Sequence, residues 1–394
     1  MNKAQLFLLR RLLPAALLLV VWTGCQSSEA VDRTTQSREP VEVQDATPCP
    51  ECAVELIEKL GLREAATPLS EQADWTPPQV VVVFGNDELV ARLQAAVPGV
   101  EVVDISEPDA WTQHMHRADA VIGECSAEVV NDATKLKWIQ IGSAGAERCV
   151  NVPGIKERGI LLTNAQRLYG PEIAEHVIAV MFAFSRGLYR YIPAQLEGEW
   201  QRRLVPTSDH WELEGKTLLV VGLGGIGTEI AWRAAALGMR VVATRRSSRE
   251  GPEFVDYVGT AGELMELASQ ADVVANATPL TPETTGMFDA EFFATMKPTA
   301  YFINIGRGKS VVTDDLVAAL ESGAIAGAGL DVTDPEPLPS SHPLWRLPNV
   351  IITPHISGNS NEAWERLQIL IEENLRRFVA GDRMLSVVNV ERGY

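Results

Sequence analysis

Residues 216–227 read Lys216-Thr217-Leu218-Leu219-Val220-Val221-Gly222-Leu223-Gly224-Gly225-Ile226-Gly227. The first half is a short apolar run, the pattern of a strand buried on both faces. The second half is G-x-G-x-x-G. Helical spacing continues to about Leu237, and Met239 to Thr244 reads as a second strand. Glycines in this pattern mean little alone. Set between a strand and a helix, with another strand at the right distance, they mark a dinucleotide-binding turn. Gly222 permits the tight turn, Gly224 lets the backbone approach a pyrophosphate, and Gly227 lets helix and strand pack closely. Gly225 and Ile226 open the helix, whose free N–H groups and positive dipole end suit phosphates.

The second strand ends Ala243-Thr244-Arg245-Arg246-Ser247. Arg245 stands where an NAD-binding version carries an acid for the ribose hydroxyl. A carboxylate would repel a 2′-phosphate, whereas a guanidinium pairs with it. Thr244, Arg245, Arg246 and Ser247 are therefore expected to hold the adenosine side of NADP(H). NAD(H) remains open if the arginines only form a solvated basic turn.

Working outward, the body alternates strands and helices. Gln79 to Gly85, Val100 to Ile105, Ala118 to Gly123 and Leu136 to Gly142 read as strands, and Asp87 to Val97 as a helix. A long helix is expected from about Pro171 to Arg186. Alternation of this kind implies βαβ units and parallel sheets. The fold class is α/β, in two series, the second of which opens on the dinucleotide-binding turn.

The chain has 394 residues, enough for two or three domains, and a net charge of −18. So acidic a chain is a poor nucleic-acid partner, since phosphate neutralisation needs clustered Lys and Arg. Lys3, Arg10 and Arg11 precede an apolar run, Leu12 to Trp22, which ends Val21-Trp22-Thr23-Gly24-Cys25. That is the layout of a secretory signal and resembles a bacterial lipobox. Residues 1–25 are expected to be a signal, with Cys25 the lipidated residue. The expected location is the bacterial cell envelope, lipid-anchored on the periplasmic side, with export in folded form possible. Residues 26–77 are expected to be a flexible tether carrying Cys49-Pro50-Glu51-Cys52. Within it, Val54, Leu56, Ile57 and Leu60 have helical spacing that Gly61 ends. Cys49 and Cys52 suit a local disulfide. Cys125 and Cys149 could pair with each other, which sequence alone leaves open. No metal site is expected: His114 and His116 lack a recognised ligand pattern and fit a solvated helical face. His176 is expected to pack or hydrogen-bond on the long helix, and His342 has no readable role.

Three segments follow the glycine motif: Phe302-Ile303-Asn304-Ile305-Gly306-Arg307-Gly308-Lys309, Gly329-Leu330-Asp331-Val332-Thr333-Asp334-Pro335-Glu336-Pro337-Leu338 and Thr353-Pro354-His355-Ile356-Ser357-Gly358. With these, the chain from about Val80 to Val390 resembles the D-2-hydroxyacid dehydrogenases, the family that includes glyoxylate/hydroxypyruvate reductases and phosphoglycerate dehydrogenase. The resemblance implies that Arg307 grips a substrate carboxylate and keto oxygen. It implies that Glu336 pairs with His355, and that His355 is the general acid/base. It also implies Asp331 at the nicotinamide carboxamide, Ile305 at the nicotinamide, Thr278 and Pro279 on the ribose side, and Gly358 among the cofactor residues. Backbone amides of Ser143, Ala144 and Gly145 would hold the substrate carboxylate beside Arg307 and His355. Small residues suit that task because the backbone itself must approach the anion. Asn164 resembles a hinge residue. The implied architecture is two Rossmann-like domains, a flavodoxin-like substrate domain spanning 78–164 and 358–394 and a dinucleotide-binding domain spanning 165–357, with the active site in the cleft between them. The implied activity interconverts a small 2-oxo acid and its D-2-hydroxy acid by hydride transfer, in a homodimer. A non-catalytic dinucleotide-sensing or scaffolding lipoprotein is the alternative.

Overall fold

Four consecutive valines, Val80–Val83, form the first strand, and each is at most 2% exposed. β-Branched residues tolerate such burial when both faces of a sheet are covered. Side chains alternate across a strand, so Val81 and Val83 join one core cluster while Val80 and Val82 join another. The computed structural model describes residues 49–73, 75–105, 108–246 and 248–393. The signal segment, Cys25, the tether up to residue 48 and Ser247 lie outside the described residues.

The first sheet holds β1 (Val80–Val83), β2 (Glu101–Asp104), β3 (Ala120–Ile122), β4 (Trp138–Gln140) and β5 (Leu161–Thr163) in the order β2-β1-β3-β4-β5. The second holds β6 (Thr217–Val221), β7 (Arg240–Arg245), β8 (Tyr257–Thr260), β9 (Val273–Asn276), β10 (Tyr301–Asn304), β11 (Gly327–Leu330) and β12 (Val350–Ile352) in the order β12-β11-β10-β9-β6-β7-β8. Every pairing is parallel. Strand order reverses between β1 and β3 and between β6 and β9. In open α/β sheets, the carboxyl edge beside such a reversal is where ligands bind.

β6 repeats the two-faced pattern, with Leu219 and Val221 on one side and Leu218 and Val220 on the other. One face is filled by Phe288, Phe292, Phe293 and Phe302, all fully buried. The helix Gly170–Ser185 follows the crossing from β5 and packs on the other. After β12 the C-terminal helix Asn361–Ala380 returns to the first sheet. Its Leu367, Leu370, Ile371, Leu375 and Phe378 cover Val81, Val83, Ile122 and Trp138. The Trp138 and Phe378 rings lie 4.8 Å apart, and the Trp138 indole N–H donates to the Thr163 hydroxyl at 2.8 Å.

The N-terminal segment departs from expectation. Residues 49–73 and 75–77 are part of this body, not a tether. The helix Pro50–Leu60 buries Ala53, Leu56 and Leu60, and its Leu56 and Leu60 share the core cluster of the C-terminal helix. An apolar stripe at helical spacing is stable in water only when covered. The segment beyond Gly61 is stitched to the tail: the Ala65 amide donates to the Met384 carbonyl and the Ser386 amide to that of Arg63. Cys49 is joined to Cys52 and Cys125 to Cys149. Among the described residues, no helix is long and apolar enough to cross a membrane.

Candidate active site

The expected site residues sit at the carboxyl ends of their strands: Gly222 after β6, Thr278 after β9, Arg307 after β10, Asp331 after β11 and His355 after β12. Ser143, Ala144 and Gly145 follow β4 in the other sheet.

Asp331 organises the segment that carries His355. Its carboxylate is 2% exposed. One oxygen accepts the Thr353 hydroxyl at 2.6 Å and the Ile356 amide at 2.9 Å; the other accepts the Ser357 amide at 3.0 Å. Burial alone would raise its pKa, but these donors outweigh it and hold the carboxyl below its ordinary value. The His355 amide donates to the Asp331 carbonyl at 2.8 Å. So braced, His355 adopts φ +55°, the left-handed region that a non-glycine residue occupies only when its surroundings impose it. Its Nδ1 then meets Glu336 Oε1 at 2.7 Å. The two side chains are 46% and 44% exposed, so the other ring nitrogen is open to a ligand. A carboxylate on Nδ1 orients the ring and leaves Nε2 without that partner.

Arg307 is brought to the same edge by small neighbours. A Cβ at Gly308 would lie 1.9 Å from the Thr333 carbonyl oxygen, so only glycine lets the Arg307 turn abut the loop bearing Glu336. A Cβ at Gly145 would lie 1.8 Å from an Arg307 terminal nitrogen, so the loop after β4 touches the guanidinium. Arg307 Nη1 donates to the Gly306 carbonyl at 2.7 Å. The 142–145 loop is held by its carbonyls: Tyr169 O–H donates to Gly142, the Ala165 amide to Ser143 at 2.9 Å, and the Asn164 side-chain amide to Ala144 at 2.6 Å. Burial first, then the charge of Glu172, pushes the Tyr169 hydroxyl up to about 12, so it stays a neutral donor.

At the glycine motif, a Cβ at Gly227 would meet the Gly222 carbonyl at 2.1 Å, whereas nothing lies within 4 Å of one at Gly224. The helix Gly225–Ala236 starts there, with no side chain capping its first turn. Gly225 and Ile226 form that first turn. The Thr244 carbonyl accepts the Gly222 and Leu223 amides, tying the loop to β7. Arg245 donates Nε to the Leu223 carbonyl at 3.0 Å, which keeps its guanidinium beside the loop, and Arg246 is exposed. Thr278 caps the end of β9 through Asn276, Pro279 is exposed beside it, and Ile305 is nearly buried. Gly358 lies against the Tyr169 ring and, with Trp364, lines an open groove.

Sequence reasoning missed Glu147. Its Oε1 lies 2.6 Å from Arg307 Nε, so the pair joins the two sheets. Burial would raise its pKa, but the charge and hydrogen bond of Arg307 hold it below the ordinary value. It opens a four-residue helix, Glu147–Val150, without a spacing signal. His176 Nε2 lies 3.2 Å from the Thr353 hydroxyl, and burial, opposed by Asp331, pushes its pKa down. His342 accepts the Leu344 amide through Nδ1 at 3.3 Å, which makes it a cap. A depressed carboxyl pKa stabilises the fold above the unfolded-state pKa and ceases to do so as pH falls through the folded-state value. Glu147→Gln should therefore destabilise the protein by about 1 kcal/mol at pH 7. In denaturant titrations the gap to wild type should close as the buffer is taken below the ordinary carboxylate range. A gap that persists there would contradict the pairing.

The chain is similar to known proteins over most of its length. Residues 178–357 match the family model described as D-isomer specific 2-hydroxyacid dehydrogenase, NAD binding domain. Glyoxylate reductase of Pyrococcus furiosus is 36% identical over 271 residues, covering 67% of this chain and 79% of that protein. The Homo sapiens glyoxylate reductase/hydroxypyruvate reductase is 38% identical over 255 residues, covering 64% of this chain and 76% of that protein. The crystal structure of an NADPH-dependent glyoxylate/hydroxypyruvate reductase from Sinorhizobium meliloti, in complex with NADP and sulfate, matches with a TM-score of 0.70 at 28% identity, covering 81% of this chain and 100% of that one. The chain belongs to the D-isomer specific 2-hydroxyacid dehydrogenase family and is an oxidoreductase of that type.

Proposed function

We propose that this chain is an NADPH-preferring reductase of small 2-oxo acids, with glyoxylate and hydroxypyruvate as the leading substrates. The observation that carries the reading is the His355–Glu336 contact at 2.7 Å, held open at the strand edge that also bears Arg307. The residues present fit a dinucleotide: the space at Gly224 admits a pyrophosphate, and the Arg245 guanidinium beside the loop suits a 2′-phosphate. When bound, a reduced nicotinamide supplies the hydride. Arg307 and the amides of Ser143, Ala144 and Gly145 hold the substrate carboxylate. Among the described residues those three amides have no acceptor. Glu336 orients the imidazole through Nδ1, and His355 Nε2 donates a proton to the keto oxygen as charge develops there. Arg307 adds positive charge at the same oxygen. In the reverse direction His355 takes the proton back. The intact Arg307, Glu336 and His355 set favours catalysis over a purely sensing role.

We also propose a homodimer, and attachment to the cell envelope through lipid on Cys25. The dimer reading rests on exposed Phe182 and Trp232, which line an apolar groove of about 420 Å³ between the helices Gly170–Ser185 and Gly225–Ala236. Sedimentation of the protein extracted from membranes, with mass analysis of its N-terminus, checks both. A monomer with an unmodified N-terminus would contradict them.

NADPH consumption by the purified chain, with glyoxylate, hydroxypyruvate or pyruvate, and NADH alongside, tests the activity. Turnover with at least one of the first two, and a higher kcat/KM for NADPH than for NADH, is expected. Preference for NADH would remove the role given to Arg245, and no turnover would remove the reductase reading.

A further inference from the structure

Arg167 lies at the crossing between the two sheets, beside the glycine motif, and neither motif nor spacing singles it out. Its φ is +70°, the region that favours glycine, although it carries a long side chain. A Cβ at position 225 would meet Arg167 Cγ at 2.5 Å and its Cα at 3.1 Å, so Gly225 leaves room for this arginine at the first turn of the helix Gly225–Ala236. Arg167 Nη1 donates to the Leu60 carbonyl at 3.2 Å, at the end of the helix Pro50–Leu60. The N-terminal segment is thereby tied to the nucleotide loop.

Charges of both signs surround it, and the cationic ones act on Arg167 more strongly. Burial pushes the Arg167 pKa down, and the charges of Arg63 and Arg245 push it further, opposed by Glu229. Glu229 is itself held by Arg233 at 2.5 Å. Arg167 and Arg245 bond to backbone carbonyls, not to carboxylates, and those carbonyls belong to Leu60 and to Leu223 of the glycine motif. A cavity of about 280 Å³ opens here, lined by Lys59, Gly61, Arg167, Gly225 and Thr228, with the carboxylates of Glu58 and Glu229 on its wall. Guanidinium groups gathered this way repel one another, and a bound anion relieves them.

We propose that Arg167 is a phosphate contact for the bound dinucleotide, supported by Arg63, so that the N-terminal segment of this chain forms one wall of the cofactor site. The inference rests on the dinucleotide reading above. It accounts for three features at once: a non-glycine residue at positive φ, a glycine at position 225, and an N-terminal helix packed against the body.

The test is fluorescence titration of the purified full chain with NADPH and with NADH, for wild type, Arg167→Gly and Arg63→Ala, together with thermal melts. Glycine suits the backbone angle at 167, and Arg63 is exposed, so the second variant leaves the fold intact. Arg167→Gly should weaken NADPH binding roughly tenfold or more, the loss of one charge-assisted contact. Arg63→Ala should weaken it about threefold with an unchanged melting temperature. Equal weakening of NADH places Arg167 at the pyrophosphate, and weakening of NADPH alone places it at the 2′-phosphate; either supports the contact. Unchanged binding of both cofactors by both variants, with any loss confined to the melt of Arg167→Gly, would make Arg167 a structural strut and overturn the proposal. Wild type that fails to bind NADPH would instead overturn the parent reading.

Discussion

A carboxylate taken out of water must find donors or lose its charge, and Asp331 finds three. Uncompensated, burying such a group opposes folding by several kcal/mol. Here Thr353, Ile356 and Ser357 satisfy it, and all three lie within two residues of His355. The same contacts that keep Asp331 ionised therefore bend the chain after β12 and hold His355 in a conformation it would not adopt alone. Glu336, at the far end of the loop that begins with Asp331, completes the arrangement from the other side. His176 extends it by one more residue, reaching Thr353 from the helix that follows the domain crossing.

The second half of the site depends on close approach. Gly145 brings the loop after β4 against the Arg307 guanidinium, and Gly308 lets the turn after Arg307 abut Thr333. Glu147 then ties that guanidinium to the first sheet. An arginine held at Nε and at one terminal nitrogen keeps its other terminal nitrogen beside Gly145. The chemistry therefore sits where the carboxyl edges of two parallel sheets meet, and neither sheet supplies it alone.

Much of this was legible because it is written in local patterns. The run of valines at 80–83 and the strand, glycine motif and helix at 216–237 carry their own periodicity. Arg307, Glu336 and His355 lie in segments whose resemblance to a known family is dense. What escaped was non-local or small. Glu147 meets Arg307 from 160 residues away, and nothing near it in sequence marks the encounter. β5 has three residues and β8 has four including a glycine, too short for periodicity to show. The resemblance gives Asp331 as a cofactor contact, while its support of the His355 turn requires knowing that two strand ends are adjacent. The helical spacing at 54–60 was visible, but composition around it suggested a tether. Only its burial beside the C-terminal helix shows that it belongs to the body.

At the centre of the account is proton donation by an imidazole that Glu336 orients and Asp331 keeps in place. The most direct measurement is the single-turnover rate of 2-oxo acid reduction by His355→Gln, with NADPH affinity determined on the same sample. The account predicts a rate lower by roughly 10²–10⁴-fold with NADPH affinity unchanged. A rate near wild type, with the cofactor bound as before, would contradict it.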